Sequence, residues 1–246
     1  MADAGTADGP VLDVRIWRGA EKGTFVRYEV PARANQTVLD VVTWVQRHRE
    51  PDLAYRFACR VGVCGSCAMT VNGRPRWTCR THVKRLPADR PLVLEPLRNL
   101  PRIRDLVCDL EPFFARWERA GGRFVATATR RDPLPRIAPD SAARRAVDAG
   151  IECINCAVCH AACDVLAWRP EYLGPAALNR AWTLFNDIRH GAREEVLDRT
   201  SGDAGCHACH SQASCSEFCP VGLAPTAAIA GLKRASLWRL LGRSRA

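Results

Sequence analysis

Cys153-Ile154-Asn155-Cys156-Ala157-Val158-Cys159-His160-Ala161-Ala162-Cys163 spaces four thiols as C-x2-C-x2-C-x3-C. In that run three thiolates serve one iron-sulfur cluster and the fourth serves its neighbour. Asp164 follows the fourth cysteine, where the run ordinarily has proline. The same spacing returns as Cys209-x2-Gln212-x2-Cys215-x3-Cys219-Pro220, with Gln212 standing where a second thiol belongs. A motif written twice predicts two clusters held in turns between helices. If the ligands cross over between the copies, Cys153, Cys156, Cys159 and Cys219 complete a 4Fe-4S cube, and Cys163, Cys209 and Cys215 remain for the other. Three thiolates leave one corner iron unsupported, so that site is expected to hold 3Fe-4S. Cys206 forms an extra C-x2-C with Cys209 and stays open as a substitute ligand.

Upstream, Cys59, Cys64 and Cys67 follow a C-x4-C-x2-C spacing, and Cys79 comes twelve positions later. This is the plant-type pattern for a 2Fe-2S centre. Gly62 and Gly65 let the loop turn tightly and bring amide N–H groups to the sulfurs. Arg56 and Arg60 add positive charge beside a site whose net charge is negative. Ala68–Val71, the Asn72-Gly73 turn and Arg74–Trp77 read as a hairpin, which returns the chain so that Cys79 arrives beside the loop.

Other uses of cysteine explain less. Paired C-x2-C motifs also build structural zinc sites, but zinc gives no reason for consecutive x2 gaps ending in x3-C, nor for the plant-type loop. A disulfide framework suits neither the odd count of 13 cysteines nor a start, residues 1–10, that is small and acidic and lacks a secretory pattern. Cys108, alone in an apolar stretch, reads as a small buried hydrophobe.

The net charge of +10 is weak evidence for a nucleic-acid partner: three lysines against 33 arginines, spread along the chain, look like a genome-wide compositional bias. The one local concentration is the tail, 233–245, where Leu237, Trp238, Leu240 and Leu241 interleave with Arg234, Arg239, Arg243 and Arg245. It reads either as a helix on an acidic lipid surface or membrane partner, or as a solvated terminal helix with one packed face. No apolar run approaches the length that crosses a bilayer, so the chain is expected to stay where it is made unless a partner carries it.

Alternation at Leu12, Val14, Ile16 and at Val26, Tyr28, Val30 predicts two opening strands. Thr37 can cap a helix lined by Val38, Val41, Val42 and Val45, with Pro51 beyond its end, and a further strand is expected over 92–94. Residues 95–105 read as a connection. Beyond it, helices are expected over 103–119 with a break risk at Pro112, over 141–149 stopped by Gly150, over 175–189 stopped by Gly191, and over 225–241. The basic stretch 121–139 reads as a loop.

Asp52-Leu53-Ala54-Tyr55-Arg56-Phe57 before Cys59, then Cys64-Gly65-Ser66-Cys67, Cys153-Ile154-Asn155-Cys156, Gly174-Pro175-Ala176-Ala177 and Cys215-Ser216-Glu217-Phe218-Cys219-Pro220 carry a resemblance. From about Val11 to the last helix the chain resembles the iron-sulfur subunit of succinate dehydrogenase and fumarate reductase. The resemblance implies an α+β chain: an N-terminal plant-type ferredoxin domain of the β-grasp type, placed at 11–104, and an all-α domain like a bacterial ferredoxin, placed at 105–246. It implies a flavoprotein partner with covalent FAD that interconverts succinate and fumarate, a membrane anchor where quinone reacts, and no nucleic acid. The chain would then sit peripherally on the cytoplasmic face of a bacterial inner membrane.

The chemistry would be relay. Succinate oxidation delivers two electrons together to flavin, whereas clusters accept one at a time, so the chain needs no acid, base or nucleophile of its own. The 2Fe-2S domain is expected toward the flavin and the 3Fe-4S end toward the membrane. Trp168 and His210 match family positions at the quinone: an indole N–H can donate to a quinone carbonyl, and imidazole can pass protons. Against this, a packed tryptophan and a surface histidine are the plain alternatives, Asp164 and Ala167 depart from the family pattern, and His207 is a second candidate one turn away. Whether the complex runs as succinate oxidase or fumarate reductase stays open. Two rivals remain: a subunit of a different flavoprotein dehydrogenase, and a nucleic-acid protein with one structural cluster, which predicts salt-dependent DNA affinity.

Overall fold

Residues 9–133 and 135–242 are described by the structure, a computed structural model. Two compact units divide the chain between Asp109 and Leu110.

In the first unit, β1 (Val11–Gly19) and β2 (Gly23–Pro31) pair antiparallel along their whole length. β3 (Ala68–Val71) and β4 (Arg74–Trp77) form the expected hairpin, and positive φ at Asn72 (49°) and Gly73 (76°) gives the turn its right-handed twist. β5 (Leu92–Glu95) lies between the hairpins, parallel to β1 and antiparallel to β3, in the order β2-β1-β5-β3-β4. Helix α1 (Val38–His48) starts in a capping box: Thr37 Oγ1 accepts from Asp40 N, and the Asp40 carboxylate accepts from Thr37 N. Its Val38, Val41, Val42 and Val45 are fully buried with Val14, Ile16, Val30 and Leu94 of the sheet.

The helix expected over 103–119 does not form as one piece. β6 (Arg102–Arg104) and β7 (Val107–Cys108) make a short ribbon, and α2 (Glu111–Arg119) begins after it, with Pro112 in the first turn where its missing N–H breaks no bond. The reason is Asp105, held at φ 50° with its side chain only 2% exposed. Its carboxylate accepts from Gly19 N, Ala54 N and Arg18 Nε at 2.9, 2.9 and 3.1 Å, tying the ribbon into the first unit. The compact unit therefore extends to Asp109, where the sequence reading changed domain after Arg104. Cys108 lies in β7, not in a helix, and is buried with Sγ 3.4 Å from Leu97 O.

The second unit contains α3 (Ala142–Ile151), α4 (Val158–Ala161), α5 (Val165–Trp168), α6 (Pro175–Asn186), α7 (Arg193–Thr200), α8 (Ser214–Glu217) and α9 (Pro225–Leu240). Helix α6 runs through the core. Its Leu178, Ala181 and Leu184 share one apolar cluster with Val196 and Leu197 of α7 and Ile229 and Leu232 of α9. Three sequence expectations change here, the first being that α6 ends at Asn186 with Asp187 as its C-cap, short of Arg189 and Gly191. Gly150 is the penultimate residue of α3 and does not end it, and glycine suits the place because a Cβ there would stand 2.3 Å from Thr183 Oγ1 of α6. Helix α7 is absent from the sequence reading, since its buried side, Val196, Leu197 and Thr200, contains only two apolar residues. Among the described residues of 121–139 there is neither helix nor strand, only a bridge between Ala126 and His190.

Candidate iron-sulfur centres

The loop from Cys59 to Cys67 reverses three times through left-handed backbone, at Arg60 (φ 58°), Gly62 (77°) and Gly65 (73°). The reversals aim successive amides inward: Val61 N, Val63 N and Cys64 N donate to Cys59 Sγ at 3.5, 3.3 and 3.3 Å. These donors favour the thiolate, and the Cys59 thiol is pulled down to about 6, by Cys64 N first. Glycine is required at 62, since a Cβ would meet Arg80 Cγ at 2.9 Å and the Trp77 ring at 3.0 Å. Cys79 sits in the 3-10 turn Thr78–Arg80 directly after β4, and Thr78 Oγ1 donates to Cys67 O at 2.8 Å. Cys67 and Cys79 are thereby buried together against Leu39. Burial, then the Cys67 thiol, pushes Cys79 up to about 12. Ser66 Oγ lies 3.0 Å from Cys64 Sγ.

In the second unit the repeated motif is repeated in backbone. Asn155 and Ala157 have φ 55° and 60°; Ser211 and Ala213, at the same offsets from Cys209, have 58° and 65°. Each pair leads into a one-turn helix, α4 carrying Cys159 and α8 carrying Cys215. Cys153, Cys156, Cys159 and Cys219 line one cavity with Ala176, Asn179 and Pro220. Burial pushes the Cys159 thiol well above its usual range, and the neighbouring Cys156, Cys153, Cys215 and Cys219 push the same way. Cys163, raised by burial, has Cys215 and Cys209 as its thiol neighbours. Tyr172, raised by burial, is pushed the same way by these three thiols and shares an apolar cluster with Cys163 and Cys209. Thus Cys163 leaves the first copy to join the second, and Cys219 does the converse. Cys206 is wholly buried in the apolar core with Leu232 and Ala235, and burial pushes its thiol up to about 11.

The donor sets fit iron-sulfur groups: thiols in two fours and a three, with backbone N–H groups directed at sulfur. Among the described residues no group of three Cys, His, Asp or Glu side chains is tight enough to hold a single ion. A separate cleft of about 1040 Å³ on the second unit, lined by Trp117, Phe124, Arg180 and His190, contains none of the cysteines.

Several neighbours escaped the sequence reading. Thr226 Oγ1 lies 3.3 Å from Cys215 Sγ and accepts from Ser216 Oγ at 2.9 Å. Ser211 N donates to Cys209 Sγ at 3.4 Å, and Lys233 Nζ donates to Cys209 O at 2.6 Å. Thr226 and Lys233 lie on α9, beyond the motif they serve, and no local pattern marks them.

Trp168 ends α5 with 58% of its surface exposed, and His210 is exposed; no hydrogen bond or ring contact joins them. His207 differs from His210 in that its Nε2 is hydrogen-bonded to Ser236 Oγ at 2.9 Å. At the end of α9, Leu237, Trp238, Leu240 and Leu241 are exposed, while Arg239 turns back to pair with Asp198 at 2.6 Å. Arg243 and Arg245 of the tail, like residues 1–8 of the start, lie outside the described residues. Among those described, no helix is long and apolar enough to cross a membrane.

Residues 13–115 match a family model described as a 2Fe-2S iron-sulfur cluster binding domain, and residues 152–224 match a 4Fe-4S dicluster domain. The fumarate reductase iron-sulfur subunit of Mycobacterium tuberculosis is 37% identical over 214 residues, 84% of this chain and 83% of that protein. The succinate dehydrogenase iron-sulfur subunit of Paracoccus denitrificans is 33% identical over 205 residues, 83% of this chain and 78% of its own. A chain of the Mycobacterium smegmatis Sdh1 complex in the apo form superposes with a TM-score of 0.81 at 26% identity, covering 94% of this chain and 97% of that one. Both cluster domains occur in order, and the relatives match over most of their length as well as this chain's, so the chain belongs to the iron-sulfur subunits of succinate dehydrogenases and fumarate reductases.

Proposed function

We propose that this chain carries electrons, one at a time, between the FAD of a flavoprotein partner and a membrane quinone. Cys59, Cys64, Cys67 and Cys79 hold a 2Fe-2S centre; Cys153, Cys156, Cys159 and Cys219 hold 4Fe-4S; Cys163, Cys209 and Cys215 hold 3Fe-4S. The observation that carries this reading is the exchange of Cys163 and Cys219 between the two copies of the motif, which leaves the set around Cys209 with three thiols. When bound, such clusters supply one-electron redox chemistry without proton transfer by the protein. The chain's own residues hold the sulfurs in place and direct N–H dipoles at them, as Val61, Val63 and Cys64 do at Cys59.

The first unit, a helix packed on a mixed five-stranded sheet, reads as the β-grasp plant-type domain, and the second as the domain like a bacterial ferredoxin. A membrane anchor partner would hold the chain peripherally at the cytoplasmic face of a bacterial inner membrane. The same relay serves succinate oxidation and fumarate reduction, since direction follows from the potentials at its two ends. Co-purification tests the partner: a flavoprotein with covalent FAD and succinate-driven quinone reduction is expected, and a flavoprotein inactive on succinate and fumarate would overturn the reading.

Exposed Trp168 and His210 are the quinone-side residues in this proposal, with Trp168 Nε1–H as donor to a carbonyl. Trp168→Phe should slow quinone reduction several-fold while dye-linked succinate oxidation stays intact. Equal loss of both activities would remove Trp168 from the quinone site.

A further inference from the structure

Asn179 lies one turn into α6 and is 1% exposed, yet neither its Nδ2 nor its Oδ1 has a hydrogen-bond partner. A buried carboxamide left in this state is costly, and a leucine would fill the same space without the cost. The place is specific. Asn179 and Ala176, three residues apart on one face of α6, both line the cavity bounded by Cys153, Cys156, Cys159 and Cys219. Much of the remaining wall, Ile154, Ala157, Val221 and Leu223, is apolar. Asn155 also lines it, but its Oδ1 already faces the Cys153 thiol at 3.7 Å. Behind Asn179, Gly150 of α3 makes the room: a Cβ there would stand 2.8 Å from Asn179 Nδ2.

We propose that the Asn179 carboxamide donates an N–H hydrogen bond to a sulfur of the group held by these four cysteines, and so raises that centre's midpoint potential. This rests on the reading of the cavity as a 4Fe-4S site. Only the nitrogen end of the amide can serve a sulfur, which is an acceptor. An N–H dipole directed at a cluster sulfur favours the reduced form, which carries the additional negative charge. Asn179 is thus a tuning residue that bears no iron.

Potentiometric EPR of the intact complex tests it, comparing the unmodified protein with Asn179→Leu, which removes the amide while keeping the branched four-atom shape. The 4Fe-4S midpoint should shift to lower potential, with the 2Fe-2S and 3Fe-4S midpoints unmoved. An unshifted midpoint with the cluster retained would overturn the proposal and leave the amide to a buried water. Absence of any 4Fe-4S signal from the unmodified complex would instead overturn the underlying site. Should Asn179→Leu lose the centre, pulsed hyperfine spectroscopy decides, using an Asn155→Gly complex labelled with 15N in its asparagine side chains. A nitrogen coupling to the reduced centre supports the bond, and no coupling overturns it.

Discussion

Left-handed backbone at Ser211 and Ala213 brackets Gln212 as it brackets Cys156 at Asn155 and Ala157. The backbone therefore holds residue 212 in the second copy as it holds Cys156 in the first, with glutamine in place of the thiol. Gln212→Cys should supply the missing thiolate and convert 3Fe-4S to 4Fe-4S, seen as loss of the EPR signal of the oxidised complex. A persisting signal would show that position 212 does not face the centre. Asp187 offers a test of a different kind. Its side chain is 8% exposed and accepts from Arg189 N, Nε and Nη2 at 2.9, 2.8 and 2.6 Å, which holds the carboxyl below its ordinary value. A lowered folded-state pKa means stability that is present above the unfolded value of about 3.9 and lost as pH falls through the folded value. Asp187→Asn should cost about 1 kcal/mol at pH 7, read as a lower melting temperature, with a smaller difference at pH 3. An equal difference at both pH values would contradict the ion pair as its source. Residues with a fixed spacing, such as the cysteines, were legible in the sequence; Thr226 and Asn179 were not, because folding alone brings them to the sulfurs.

At the level of elements, local signals read well wherever local chemistry decides. The Asn72-Gly73 turn gave β3 and β4 to the residue, and Thr37 gave the start of α1. Reading failed where a distant partner decides. Asp105 bends the 102–108 stretch into a ribbon by bonding to Gly19 and Ala54, and Gly150 lies inside α3 where only a missing Cβ leaves room for Thr183 and Asn179 of α6. Gly231 shows the same constraint between α6 and α9, where a Cβ would lie 2.6 Å from the Trp182 ring. Since α9 carries Thr226 and Lys233 to the Cys209 set, this crossing positions part of the site. Gly231→Ala should destabilise the fold by about 1–3 kcal/mol through overpacking, and should lose 3Fe-4S content before 2Fe-2S. Unchanged melting and cluster content would mean that the crossing relaxes freely.

Across the whole molecule, two units each have a core of their own, and each holds its thiols with backbone that only a few residues can adopt. The net charge of +10 is carried by arginine spread through both units. What unites the chain is the order of its thiol sets: one in the first unit and two, interlocked by Cys163 and Cys219, in the second. Low-temperature EPR of the anaerobically purified complex, with iron and acid-labile sulfide measured on the same sample, tests that claim directly. The account predicts a 3Fe-4S signal when oxidised, 2Fe-2S and 4Fe-4S signals on reduction, and iron and sulfide for three clusters. Zinc in place of iron, or iron and sulfide for a single cluster, would contradict it.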